Sequence, residues 1–244
     1  MDRGCPPASD RNRLPARRGL PAFLLAAAAL AGAADAAAAG PGTADEYRWG
    51  PAPGADFGAL LEKPVVTEME AQTWKDPESG ENRIAGWSDL HGVFEAPFDA
   101  VVRVLTDYEG QSRYSPRLFS ARVESREDGR VRVYQEVGVS ILGIKSKYRI
   151  VVDFEERTLP DGGFGQRSRL VDTPDGNLYE SFSSWYVLPV LVEGKACVYV
   201  RGFSRPGIRK PFPGMAGALR TFTPGEVKNL LERYIKEARK LSEQ

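Results

Sequence analysis

From residue 118 to residue 204 the sequence repeats one pattern: a run in which apolar and polar residues alternate, then a turn containing glycine. The runs cover 118–126, 130–140, 146–157, 166–171, 178–188 and 196–204. The turns between them are Glu127-Asp128-Gly129, Leu142-Gly143, Pro160-Asp161-Gly162-Gly163, Pro174-Asp175-Gly176-Asn177 and Glu193-Gly194-Lys195. Alternation of period two sends successive side chains to opposite faces of a strand. In 130–140, Val131, Val133, Val137 and Val139 share one face against Arg130, Arg132 and Glu136. In 146–157, Tyr148, Ile150, Val152 and Phe154 oppose Lys147, Arg149, Asp153 and Glu155. Short glycine turns join antiparallel neighbours, whereas a parallel pair needs a crossover of about a dozen residues or more. The pattern demands an antiparallel sheet and excludes a strand–helix alternation.

Such a sheet has an apolar face to cover, and the C-terminus supplies a helix to cover it. Thr223-Pro224-Gly225-Glu226 reads as a capping box with Pro at the first helical position. Val227, Leu230, Leu231, Tyr234, Ile235, Ala238 and Leu241 then form one apolar stripe, opposite Lys228, Glu232, Arg233, Lys236, Arg239 and Lys240. A second helical stretch interrupts the strands within 94–123. Pro97 suits a first turn, and Val101, Val102, Leu105 and Tyr108 follow at helical spacing. Glu109-Gly110 ends that helix, and Ser115-Pro116 ends a second short one. An alternating strand over 83–94 precedes them, with a further possible strand around 65–70.

Residues 1–40 have a different composition. Arg11, Arg13, Arg17 and Arg18 precede an apolar run over 20–34, with an alanine-rich exit behind it. The run is shorter than the roughly 20 residues that span a bilayer, and the order of parts is that of a cleavable export signal. The expectation is cleavage near 36–40 and a periplasmic or secreted protein, by the general or the twin-arginine route. Residues 41–60, rich in Pro, Gly and Ala, read as a flexible arm, and 61–244 as the folded domain. The whole chain carries 33 basic and 33 acidic residues, without the basic excess that nucleic acid requires. Loss of the leader removes Cys5 and leaves Cys197 without a disulfide partner, so the fold must rest on its core.

Three segments carry a resemblance to a known superfamily: PFDAVVRVLTDYEGQSRYSP, YESFSSWYVLP and GEVKNLLERYIKEARK. They resemble the opening helical segment, a late strand and the closing helix of the START-like helix-grip superfamily, which includes polyketide cyclases and coenzyme Q-binding proteins. The resemblance spans about residues 63–242. It implies an α+β fold: a curved antiparallel sheet of about six to seven strands wrapped around a long C-terminal helix, with two short helices after the first strand. It implies a deep apolar cavity between sheet and helix and a hydrophobic guest such as a lipid, a quinone or a sterol-like molecule. A polyketide cyclase-type enzyme and an interaction domain with a filled cavity are the alternative readings.

Candidate ligand-binding residues follow. Tyr148, Trp185, Tyr199 and Phe203 sit on strands and line either the cavity or plain core, since the inward parity of each strand is open. Leu231 belongs to the closing helix, and Tyr108 and Tyr114 are expected near the rim. Phe212 and Met215 lie in 205–222, which reads as a long loop with apolar and basic residues, suited to act as a lid touching a membrane surface. Asp107 reads as a turn residue. His91 is the only histidine, and no metal-ligand spacing, phosphate loop or nucleophile elbow is present, so no catalytic residue, metal or cofactor is assigned.

Overall fold

The computed structural model describes Met1 and residues 47–141, 144–211 and 213–243. Apart from Met1 the expected leader lies outside the described residues, as does Phe212. The elements belong to the second of the two compact units into which the chain divides, Ala38–Gln244. They are strands β1 (Val65–Lys75) and β2 (Asn82–Phe94), helix α1 (Phe98–Thr106) with a 3₁₀ turn (Gly110–Arg113), then strands β3 (Leu118–Glu127), β4 (Arg130–Ile141), β5 (Ile144–Thr158), β6 (Phe164–Asp172), β7 (Leu178–Val192) and β8 (Lys195–Arg209), and helix α2 (Met215–Ser242). One open sheet of eight strands results, in the order β1-β2-β8-β7-β6-β5-β4-β3, every neighbouring pair antiparallel. The six consecutive hairpin strands were expected. The β1 edge raises the number to eight, and the two short helices follow the second strand.

Two further differences concern the C-terminal third. The segment 205–222 is not a long loop: β8 continues to Arg209, and α2 begins at Met215. Pro206 and Gly207 read as breakers, yet both pair with β7, where the register shifts between Leu178 and Glu180. A bulge of this kind tolerates the missing proline N–H. The helix also passes through Pro224 instead of starting there. One lost backbone bond is tolerated inside a 28-residue helix whose apolar stripe is buried.

Helix α1 buries Ala100, Val101, Val104 and Leu105, with Pro97 as its N-cap. Its C-terminal carbonyls, which have no partner within the helix, are met by side chains. Gln111 Nε2 donates to the Leu105 carbonyl at 2.8 Å, and Gln166 Nε2 donates to the same carbonyl at 3.1 Å. Asp107 is the C-cap, and its carboxylate accepts the Gly110 N–H at 3.1 Å and pairs with Arg113 at 3.0 Å, the role of a turn residue.

The sheet packs on both faces. The inner face meets α1 and α2 through Leu90, Phe94, Val187, Val198 and Val200, which join Leu231, Ile235 and Ala238 in one cluster. The outer face holds Val93, Tyr186, Cys197 and Tyr199, covered by Trp49, Phe57, Leu60 and Leu61. From residue 47 onward, the stretch read as an arm is therefore packed on the sheet. It is anchored by polar contacts. Tyr199 accepts the Ala52 N–H at 2.9 Å, and its hydroxyl lies 2.8 Å from His91 Nδ1. Arg201 grips Asp89 with two bonds, 2.9 and 2.6 Å, and donates to the Gly50 carbonyl at 3.2 Å. Arg48 approaches the same carboxylate at 3.6 Å. The Asp89 and Arg201 side chains are 2% and 8% exposed, so each charge depends on the other for solvation. The hydrogen bonds to Asp89 hold the Arg201 guanidinium above its ordinary pKa.

Two outcomes are expected. Asp89→Ala strands a buried guanidinium and lowers unfolding free energy by about 3–5 kcal/mol, whereas removing exposed Arg132 from its pair with Asp153 has a far smaller effect; urea unfolding compares them. Burial also pushes the His91 pKa below 6.5. The unfolded chain then binds the extra proton first, so stability is full above pH 6.5 and falls as pH drops below it. A His91→Gln variant, having no imidazole, should lose that slope, and an unchanged slope would contradict the assignment.

Candidate functional site

Between the inner face of the sheet and α2 lies a cavity of about 370 Å³. Its strand wall is built by the inward residues of each alternating run: Ile84 and Leu90 on β2, Val137 on β4, Tyr148, Ile150, Val152 and Phe154 on β5, Trp185 on β7 and Ile208 on β8. Val227, Leu230 and Tyr234 of α2 form the facing wall. A wider but more open hollow of about 520 Å³ lies between the end of β1 and the start of α2, beside Trp74, Pro213 and Met215. A third, of about 250 Å³, is lined by the ion-paired Arg130, Asp153, Glu155 and Arg167 on the outer face. Only the first combines enclosure with apolar walls, the combination that holds small-molecule guests.

Trp185 sets the shape of this cavity. Its indole packs on Tyr234 with ring centroids 5.8 Å apart. It lies across Gly202 of β8, its cross-strand partner, where an added Cβ would come within 2.5 Å of the indole. Glycine here is the space in which a flat aromatic lies along the sheet.

Most polar groups on the wall satisfy one another. Ser168 and Ser183 hydroxyls are 2.7 Å apart, and Ser88 and Ser204 hydroxyls 3.3 Å apart. Gln111 is committed to α1. Arg117, at the rim, is paired with Glu226 of α2, and burial lowers its pKa. Gln135 differs. It is 9% exposed and lines the cavity, no side-chain hydrogen bond joins it to another described residue, and its amide atoms are not among the sealed-off polar atoms of the interior. Among the described residues, no group of three or more His, Cys, Asp or Glu side chains could hold a metal ion.

The structure places the candidate residues as follows. Tyr148 and Trp185 line the cavity. Phe203 borders it, but its ring packs on Phe182 at 5.8 Å and under the Arg48 guanidinium at 4.8 Å. Tyr199 is on the outer face, because β8 turns its odd-numbered residues away from α2, and it is occupied by His91 and Ala52. Tyr108 is buried behind the wall, packed at a tilt on Phe154 with ring centroids 4.6 Å apart and hydrogen-bonded to Glu156; burial raises its pKa far above the usual phenol. Tyr114 packs on Tyr234 at 5.5 Å and donates to the Val104 carbonyl at 3.0 Å. Leu231 is core between α2 and the sheet, and Met215 lines the open hollow. Gln135, Val227, Leu230 and Tyr234 were missed. The signal for Gln135 lay in the alternation itself: it is the polar member of the Val131, Val133, Val137 face.

No protein-family model matches the sequence, and comparison with curated proteins finds no match. Solved structures do match. The chain is similar to a STAR-related lipid transfer protein from Xanthomonas axonopodis, with 17% identity over 69% of this chain and 98% of that one, TM-score 0.50. It is similar also to human StAR-related lipid transfer protein 5, with 11% identity over 74% of this chain and 88% of that one, TM-score 0.53. The fold is the START-like helix-grip fold.

Gly202→Ala is expected to destabilise the protein by about 1–3 kcal/mol through overpacking and to drive Trp185 toward Tyr234. Urea unfolding and uptake of the neutral dye Nile red measure the two effects. Unchanged dye affinity would show that Trp185 does not set the size of the cavity.

Proposed function

We propose that this protein binds a hydrophobic small molecule, a lipid, quinone or sterol-like compound, between its sheet and α2, and carries it. The observation that supports this reading most is the apolar cavity of about 370 Å³. That volume is near the low end of the roughly 300–1,000 Å³ typical of ligand pockets, and suits one chain or one fused-ring body better than a two-chain lipid. Burial of an apolar guest there releases the water that its surface would order. The names of the two structural neighbours, both lipid transfer proteins, agree with this reading. An exported location, after removal of residues 1–40, belongs to the same proposal, since an apolar molecule crossing an aqueous compartment needs a carrier. Exchange at a membrane surface is proposed at the junction of β8 and α2, residues 210–214, which remains of the segment read as a loop.

The test is to purify the protein without detergent, extract it with organic solvent and identify the extract by mass spectrometry. A hydrophobic compound near one per chain, lost from Gly202→Ala, is expected. An empty extract, together with failure to take up Nile red, would overturn the reading.

A further inference from the structure

Gln135 gives the cavity a preference that its apolar walls alone do not. It lies in the middle of β4, cross-strand from Ile150 and Ala121, with Val133 and Val137 two residues to either side on the same face. An amide amid aliphatic side chains contributes nothing to packing that a leucine would not, and with no protein partner its hydrogen bonds must come from water or from a guest. The other buried polar groups on the wall have protein partners: Ser88 with Ser204, Ser168 with Ser183, Gln111 with Leu105. Gln135 lines the space where a guest would lie, and its amide has no hydrogen bond to another described residue.

The charges bordering the cavity narrow the class of guest. Arg117 is at the rim and already paired with Glu226 across the gap to α2. Glu70 is exposed on edge strand β1. No unpaired cation faces the interior among the described residues. An ionised head group brought in beside Gln135 would lose its hydration without gaining a counter-charge. A neutral hydroxyl or carbonyl would keep its hydrogen bonds, because a primary amide both donates and accepts.

We infer that Gln135 is a specificity-determining residue, and that the cavity selects an uncharged amphiphile bearing one hydroxyl or carbonyl group over both a fatty-acid anion and a pure hydrocarbon. The inference rests on the cavity being a binding site. It adds which end of the guest is recognised, and by what.

The experiment is displacement of Nile red by 1-tetradecanol, methyl tetradecanoate, sodium tetradecanoate and tetradecane, at about pH 8, where the carboxylate is ionised. The full protein and a Gln135→Leu variant are compared. The alcohol and the ester should bind the unaltered protein on the order of tenfold more tightly than the carboxylate, as expected for one well-made hydrogen bond and an avoided buried charge. Gln135→Leu should lose most of the alcohol's advantage over tetradecane while binding the hydrocarbon at least as well. If the dye binds and the carboxylate equals or exceeds the alcohol, or if the alcohol-to-hydrocarbon ratio is the same in both proteins, the selectivity inference is wrong and the binding reading stands. If neither dye nor any of the four binds, the binding reading falls and this inference with it. The ranking on the unaltered protein decides the charge preference even if the variant fails to fold.

Discussion

The short helix α1 and the long helix α2 together leave part of the inner face of an eight-stranded sheet uncovered. The contacts of α2 are chiefly with α1, β1 and β2, and it meets β4 only sparsely. The inward side chains Ile150 and Val152 of β5 border the cavity, while Trp185 of β7 reaches across to Tyr234 of α2. Interiors normally close such gaps, because dispersion contacts are lost wherever atoms face a void. Here the gap stays open on the inner face, while the outer face is tightly bonded.

The outer face carries chemistry opposite to that of the cavity. On the outer face, Asp89 and Arg201 form a buried, doubly hydrogen-bonded ion pair between adjacent strands, and Tyr199 ties Ala52 and His91 to the same region. These contacts are directional and fix the register of β2 on β8 while fastening the preceding segment across them. On the inner face the groups are largely apolar, with serines paired to serines and the Arg117–Glu226 pair at the rim. A single sheet thus separates a rigid, charged backing from an adaptable, uncharged wall. The period-two alternation of its strands lets one sequence specify both.

Much of the architecture was legible in the sequence for that reason. The valines of β4, the aromatics and aliphatics of β5 and the stripe on α2 announce which faces are buried. Edge strand β1 was only half legible, because Glu68, Glu70 and Gln72 dilute its alternation, as suits a strand with solvent beside it. The end of β8 was hidden by Pro206 and Gly207, which look like a loop until β7 supplies a bulge for one and the ring of Tyr179 claims the space beside the other. The beginning of α2 was hidden by Pro224, whose local preference to start a helix yielded to tertiary packing. The site was less legible than the fold. Aromatic residues on both faces of β7 and β8 look alike in sequence, yet Trp185 faces the cavity and Tyr199 the outer network. Parity decides between them, and parity is fixed by pairing with distant strands. Gln135 shows the converse: a single polar break in an apolar face, easily passed over as surface, marks the wall of the cavity.

The central claim is that apolar space persists between α2 and the strands facing it. Diffraction from crystals pressurised with xenon tests it directly, since xenon enters dry apolar cavities and little else. The account predicts ordered xenon bounded by Trp185, Ile150 and Tyr234, with the Asp89–Arg201 pair undisturbed on the far side of the sheet. Strands packed directly on α2, with no xenon between them, would contradict it.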